Sequence, residues 1–171
     1  MDKKWRCRVV VLEWDRGHET FDAIVRAESD AGVVCTEVID LASTPGLAWI
    51  RGNEITDLVD LDKDLGVVRL AGIRAERDAI VDVSMTQLFV LLERFARDGT
   101  LVAVYRECTG SDSCLVGEIV DPTEHEFHLR LVDERGRYDN DPPFKYGTNE
   151  VIRLDWGTTY LSSLGELLAA G

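Results

Sequence analysis

The segment Asn53-Glu54-Ile55-Thr56-Asp57-Leu58 returns late in the chain as Asn149-Glu150-Val151-Ile152-Arg153-Leu154, and this near-repetition sets the reading of everything around it. The same order of patterns precedes each copy, which is how an internal duplication shows itself. In the first copy, Arg8-Val9-Val10-Val11-Leu12-Glu13-Trp14, a polar turn and Phe21-Asp22-Ala23-Ile24-Val25 form a hairpin pattern. In the second, Leu101-Val102-Ala103-Val104-Tyr105-Arg106-Glu107, the stretch from Cys108 to Cys114 and Leu115-Val116-Gly117-Glu118-Ile119-Val120 do the same. A polar break follows each hairpin, Glu28-Ser29-Asp30-Ala31-Gly32 or Asp121-Pro122-Thr123-Glu124-His125. A third strand then closes on an Asp, at Val38-Ile39-Asp40 and Leu131-Val132-Asp133.

Runs of β-branched and aromatic residues with Gly, Pro, Asp and Asn gathered between them predict short antiparallel strands. Five short strands in a flat sheet leave two exposed edges, and curling the sheet hides them. The expectation is a mainly β protein with two or three helices, built as two small five-stranded barrels. Residues 1–75 form the first barrel, 76–100 a linker with an amphipathic helix, and 101–171 the second barrel with a C-terminal helix. In the linker, Ser84-Met85-Thr86-Gln87 fits a capping box, and Met85, Leu88, Leu91, Leu92, Phe95 and Ala96 follow a helical period that Asp98-Gly99 ends. From Thr158 to Ala170, Tyr160, Leu161, Leu164, Leu167 and Leu168 share one stripe. Residues 65–83 fit either a closing strand or a linker.

The stretch Trp49-Ile50-Arg51-Gly52-Asn53-Glu54-Ile55 resembles the second signature motif of Sm-like proteins, in which Ile-Arg-Gly precedes a hydrophobic residue three positions on. That resemblance implies SH3-like barrels, each preceded by a helix. It also implies a site for single-stranded RNA made by Arg51 and Gly52, with Trp49, Asn53 and Asp30 as neighbours. At the matching place the second copy carries Lys145-Tyr146-Gly147-Thr148, and the stretch Ser29-Asp30-Ala31-Gly32-Val33 has the family's Asp without a following Asn.

Charge points away from polyanions: 32 acidic residues against 19 basic give a net charge of −13, whereas nucleic acids are held mainly by Lys and Arg. Nucleic acid is therefore a disfavoured partner. No stretch matches a membrane span or a signal peptide, and the expected location is cytoplasmic. Cys7 and Cys35 fall in apolar patterns and read as core residues, while Cys108 and Cys114 flank a polar loop across which they could oxidise together.

Three groups of residues have types that could carry chemistry. Asp57, Asp60, Asp62 and Asp64 approach a calcium-loop pattern, but Leu65 stands where that loop needs Gly, and they read as a solvated acidic edge. His125 and His128 would point to opposite faces of a strand, which disfavours a shared metal. Trp5, Trp14, Trp49 and Trp156 read as core or rim packing. No motif for nucleophilic, phosphate or zinc chemistry is present, so no catalytic residue, metal or cofactor is assigned.

The leading expectation is a non-enzymatic interaction or assembly module that binds a protein partner or itself, a homodimer being the simplest form. The alternatives are an RNA-binding regulator with a local Sm-like site, and an enzyme with a pocket between the two barrels.

Overall fold

The computed structural model describes residues 7–14, 17–37, 46–60, 81–107 and 114–170. Ten strands carry the fold: β1 (Cys7–Trp14), β2 (Gly17–Ser29), β3 (Gly32–Glu37), β4 (Leu47–Arg51) and β5 (Ile55–Asp60), then β6 (Leu101–Arg106), β7 (Leu115–Val120), β8 (Glu126–Leu131), β9 (Phe144–Gly147) and β10 (Val151–Trp156). They form one antiparallel sheet in the order β5-β1-β2-β3-β4-β10-β6-β7-β8-β9. Each half repeats one arrangement, fifth strand, first, second, third, fourth. The halves meet where β4 pairs with β10, Ile50 facing Arg153, Trp49 facing Leu154, Ala48 facing Asp155 and Leu47 facing Trp156.

Two closed barrels are therefore not what forms. Curling was expected because an isolated five-stranded sheet leaves edges unpaired; here one edge of each half is satisfied by the other half instead. The strand bounds also shift from the sequence reading. β3 begins at Gly32, directly after the turn, and Val38-Ile39-Asp40 lies outside the described residues. The repeated Asn-Glu segment is not all strand: Gly52–Glu54 and Thr148–Glu150 are 3-10 turns that feed β5 and β10.

Alternation along the strands sorts side chains onto two faces. One face gathers Val34, Trp49, Val102, Val104, Leu154 and Trp156, continuous with Ile119, Phe127, Leu129 and Tyr146. The helix α1 (Leu88–Asp98) covers it with Leu91, Leu92 and Phe95, and Phe95 meets Trp156 with ring centroids 5.1 Å apart. On the opposite face, the helix α2 (Thr159–Ala170) seats Leu161 and Leu164 on Leu101, Ala103 and Val132. Tyr160 and Leu167 do not join that contact; at 56% and 52% exposure they look outward, so the predicted stripe splits. Among the described residues no helix is long and apolar enough to cross a membrane.

The entry to α1 also differs from the capping box read in the sequence. Asp82 is the cap: its carboxylate accepts from the Ser84 backbone N–H at 2.7 Å and from the Ser84 hydroxyl, and starts a 3-10 turn over Val83–Thr86. Those bonds hold the Asp82 carboxyl below its ordinary pKa. Gln87 then begins the α-helix without a side-chain cap, and Gly99 ends it in the left-handed conformation that a residue lacking Cβ adopts freely.

Within that 3-10 turn Thr86 ties the connector to the first half. Its hydroxyl meets Ser29 Oγ at 2.7 Å, and its carbonyl accepts from Trp49 Nε1 at 2.7 Å. Replacing Trp49 by Phe keeps most of the ring volume but leaves the Thr86 carbonyl without its donor. Urea unfolding of Trp49→Phe is expected to show a loss of about 1–3 kcal/mol, the cost of an unmet buried polar group.

Candidate functional site

The residues that the sequence assigned to a ligand site divide into two groups. Asp30, Gly52 and Asn53 line a shallow pocket of about 380 Å³ together with Glu28, Ser29, Val33 and Ile55. Trp49 and Arg51 do not line it. Trp49 is buried in the core against Thr86, and Arg51 turns toward the second half. Its Nη2 donates to the carbonyl oxygen of Asn149 at 2.5 Å, and its Nη1 lies 3.4 Å from Glu54 Oε1.

The turns that border the pocket differ between the two halves. The turn between β2 and β3 touches the 3-10 turn before β5: the Gly52 N–H donates to the Ala31 carbonyl at 3.2 Å, and a Cβ on Gly52 would fall 2.5 Å from the Asp30 carbonyl oxygen. In the second half Thr148 takes the place of Gly52. Its N–H donates to the His125 carbonyl at 2.9 Å and its hydroxyl to the Glu124 carbonyl at 2.8 Å. The likeness of the two halves therefore extends to single hydrogen bonds, with Thr148 satisfying by side chain a carbonyl that Gly52 passes at close range. The rim of the first-half pocket carries Glu28 and Asp30, a sign of charge that repels phosphate.

The seam holds the buried charged side chains, Arg153 and Asp155, among the described residues. Every residue of β10 is buried. Leu154 and Trp156 face the α1 side, so Arg153 and Asp155 face the other, beside Ile50 and Ala48 on β4 and Tyr105 and Ala103 on β6. Arg153 pairs with Asp155 through two hydrogen bonds, 2.8 and 2.9 Å, in the bidentate form that suits a guanidinium. The Tyr105 ring lies 5.1 Å from the guanidinium carbon, and burial, followed by the negative charge of Asp155, pushes the Tyr105 hydroxyl far above the ordinary phenol range. Such a tyrosine stays neutral.

A second depression, about 610 Å³, lies on the second half between the end of β8, the turn after it and the start of α2. Leu115, Val116, Leu131 and Val132 line it with Tyr138 and Tyr160. Tyr138 donates to Glu118 at 2.6 Å beneath the Arg130 guanidinium. The sequence reading missed Tyr138 altogether and took Tyr160 for a packing residue. Neither depression opens across the β4–β10 seam, where the enzyme reading would have placed one.

The remaining sequence candidates are scattered. Asp57 and Asp60 lie on β5, and Asp62 and Asp64 fall outside the described residues. His125 is in the turn before β8 and His128 on the strand itself. Among the described residues no group of three His, Cys, Asp or Glu is placed to hold a metal ion. Cys35 is buried; Cys114 is exposed, and Cys108 lies outside the described residues. No protein-family model, curated protein or solved structure matches this chain.

The contrast between Gly52 and Thr148 gives a direct expectation. Gly52→Ala forces a Cβ against backbone, which cannot rotate away, and is expected to lower the thermal midpoint clearly. Thr148→Ala removes one hydroxyl bond and is expected to cost about 0.5–1.5 kcal/mol in chemical denaturation.

Proposed function

We propose that this protein is a non-catalytic assembly module whose copies join end to end by repeating, between chains, the joint that β4 and β10 make within one chain. The observation that carries the reading is the order of the sheet. Its two ends are β9 and β5, which are the second-half counterpart of β4 and the first-half counterpart of β10. Among the described residues β9 pairs only with β8, and β5 only with β1. A strand at the end of a sheet is where another chain can extend it by backbone pairing.

The internal joint supplies a register for the external one. Matching Asn53 to Asn149 and Gly52 to Thr148 sets Tyr146 of one copy opposite Asp57 of the next, Lys145 opposite Leu58 and Phe144 opposite Val59. β9 carries a lysine, paired at 2.6 Å with Glu126 of β8, and β5 carries two aspartates. Phe144, 44% exposed at the sheet's end, gains cover there. The contact is head to tail, so it closes into a ring or runs on as a filament according to the rotation at each joint. A two-fold dimer through α2 is the competing arrangement, and it stops at two chains.

The RNA reading draws less support, since Trp49 is buried, Arg51 is held at the seam and the adjoining pocket is acidic. Light scattering across a concentration series is expected to show a mass that climbs past the dimer. Lys145→Glu, which sets like charge against β5, is expected to shift that curve to higher concentration and make it more sensitive to low salt. A mass fixed at the monomer over the whole series would sink the proposal, and one fixed at the dimer would favour the two-fold arrangement.

A further inference from the structure

The internal joint and its proposed external counterpart differ at one position with a chemical consequence. Arg51 is the last residue of β4, in extended conformation with φ −63° and ψ 134°. From there its guanidinium crosses the seam and donates to the Asn149 carbonyl, in the 3-10 turn that opens β10. The residue in the same place at the end of β9 is Gly147, with nearly the same backbone, φ −77° and ψ 138°. Glycine has nothing to reach across with. Even the neighbouring acid is used differently. In the first half Glu54 steadies Arg51 at 3.4 Å, whereas in the second Glu150 Oε1 accepts from the Gly147 N–H at 3.2 Å.

We infer that Arg51 is a latch that fastens the two halves of one chain, and that Gly147 leaves the equivalent joint between chains unlatched, so that chains associate reversibly while the halves stay together. The inference rests on the end-to-end reading above and names what sets its strength. A hydrogen bond from a charged donor to a carbonyl that is otherwise left to water accounts for roughly a tenfold difference in an equilibrium constant. The counterpart of the Asn149 carbonyl in the next copy is that of Asn53, on the exposed turn before β5.

Nothing in the backbone obliges position 147 to be glycine, since its φ is negative. A Cβ there would meet Asn149 Oδ1 at 2.5 Å and Glu150 Oε1 at 3.1 Å, both the far ends of side chains that can rotate. An arginine can therefore be installed, which makes the latch testable by adding it as well as by removing it.

The test compares full-length wild type, Gly147→Arg and Gly147→Ala by sedimentation velocity over a concentration series. Gly147→Arg is expected to move the association midpoint to about tenfold lower concentration, and Gly147→Ala to leave it near that of wild type. If wild type associates and Gly147→Arg does not tighten it, the latch is overturned while the end-to-end joint stands. An equal gain from Gly147→Ala also overturns it, because the effect then comes from the backbone. If neither wild type nor Gly147→Arg associates, both readings fall together. Arg51→Gly provides the opposite arm, independent of assembly. Hydrogen exchange at the β4 and β10 amides is expected to quicken by about tenfold with the β7 and β8 amides unchanged, and an unchanged β4–β10 pair overturns the latch.

Discussion

The pairing of β4 with β10 is the interaction on which the rest of the molecule depends. Without it each half is a five-stranded sheet with two free edges; with it, one ladder crosses the whole molecule and an apolar face long enough for α1 to cover is made continuous. Trp49 and Trp156 both belong to that face, one from each half. The Thr86 turn then secures α1 to the first half, and Arg51 fastens the seam from its outer end. Sheet, helix and latch are successive consequences of one register.

That register is protected by polarity as well as by shape. Arg153 and Asp155 satisfy each other along one strand on the face away from α1, under Tyr105. A slip of one residue would carry the pair to the face that Phe95 covers, and bring Leu154 and Trp156 out of it. Ion pairs of this kind add little net stability, because both charges are stripped of water. Here the pair raises the cost of the wrong alignment.

The repeated order of strands was legible because strands alternate and turns carry polar residues, and both signals survive in a single sequence. The hairpins, the polar breaks and the two helices follow from it. What could not be read is which strands meet between the halves. Any barrel closure and the observed open sheet share the same local patterns, and they differ only in which chain segment satisfies an edge. The helix entry was misread for a related reason: Ser84 and Gln87 match a capping pattern, but Asp82, two residues earlier, has the stronger acceptor. Of the expected site, Asp30, Gly52 and Asn53 do come together, since one turn contact places all three. Trp49 and Arg51 are adjacent to them in sequence but are drawn into the core and the seam. Tyr138 left no signal because its exposure depends on how the turn after β8 folds back.

Covalent linkage changes what the Gly52–Thr148 divergence means. Two separate copies of one unit would each need both complementary ends, so any change at one end would be felt at every contact. Joining two units in one chain makes one of those contacts intramolecular, where a high effective concentration takes over much of the work of affinity. The two turns are then released from being identical. One can keep glycine and an acidic notch while the other spends a hydroxyl on the carbonyl at the same place, so the joined pair presents two unlike turns where two separate copies would present the same one twice.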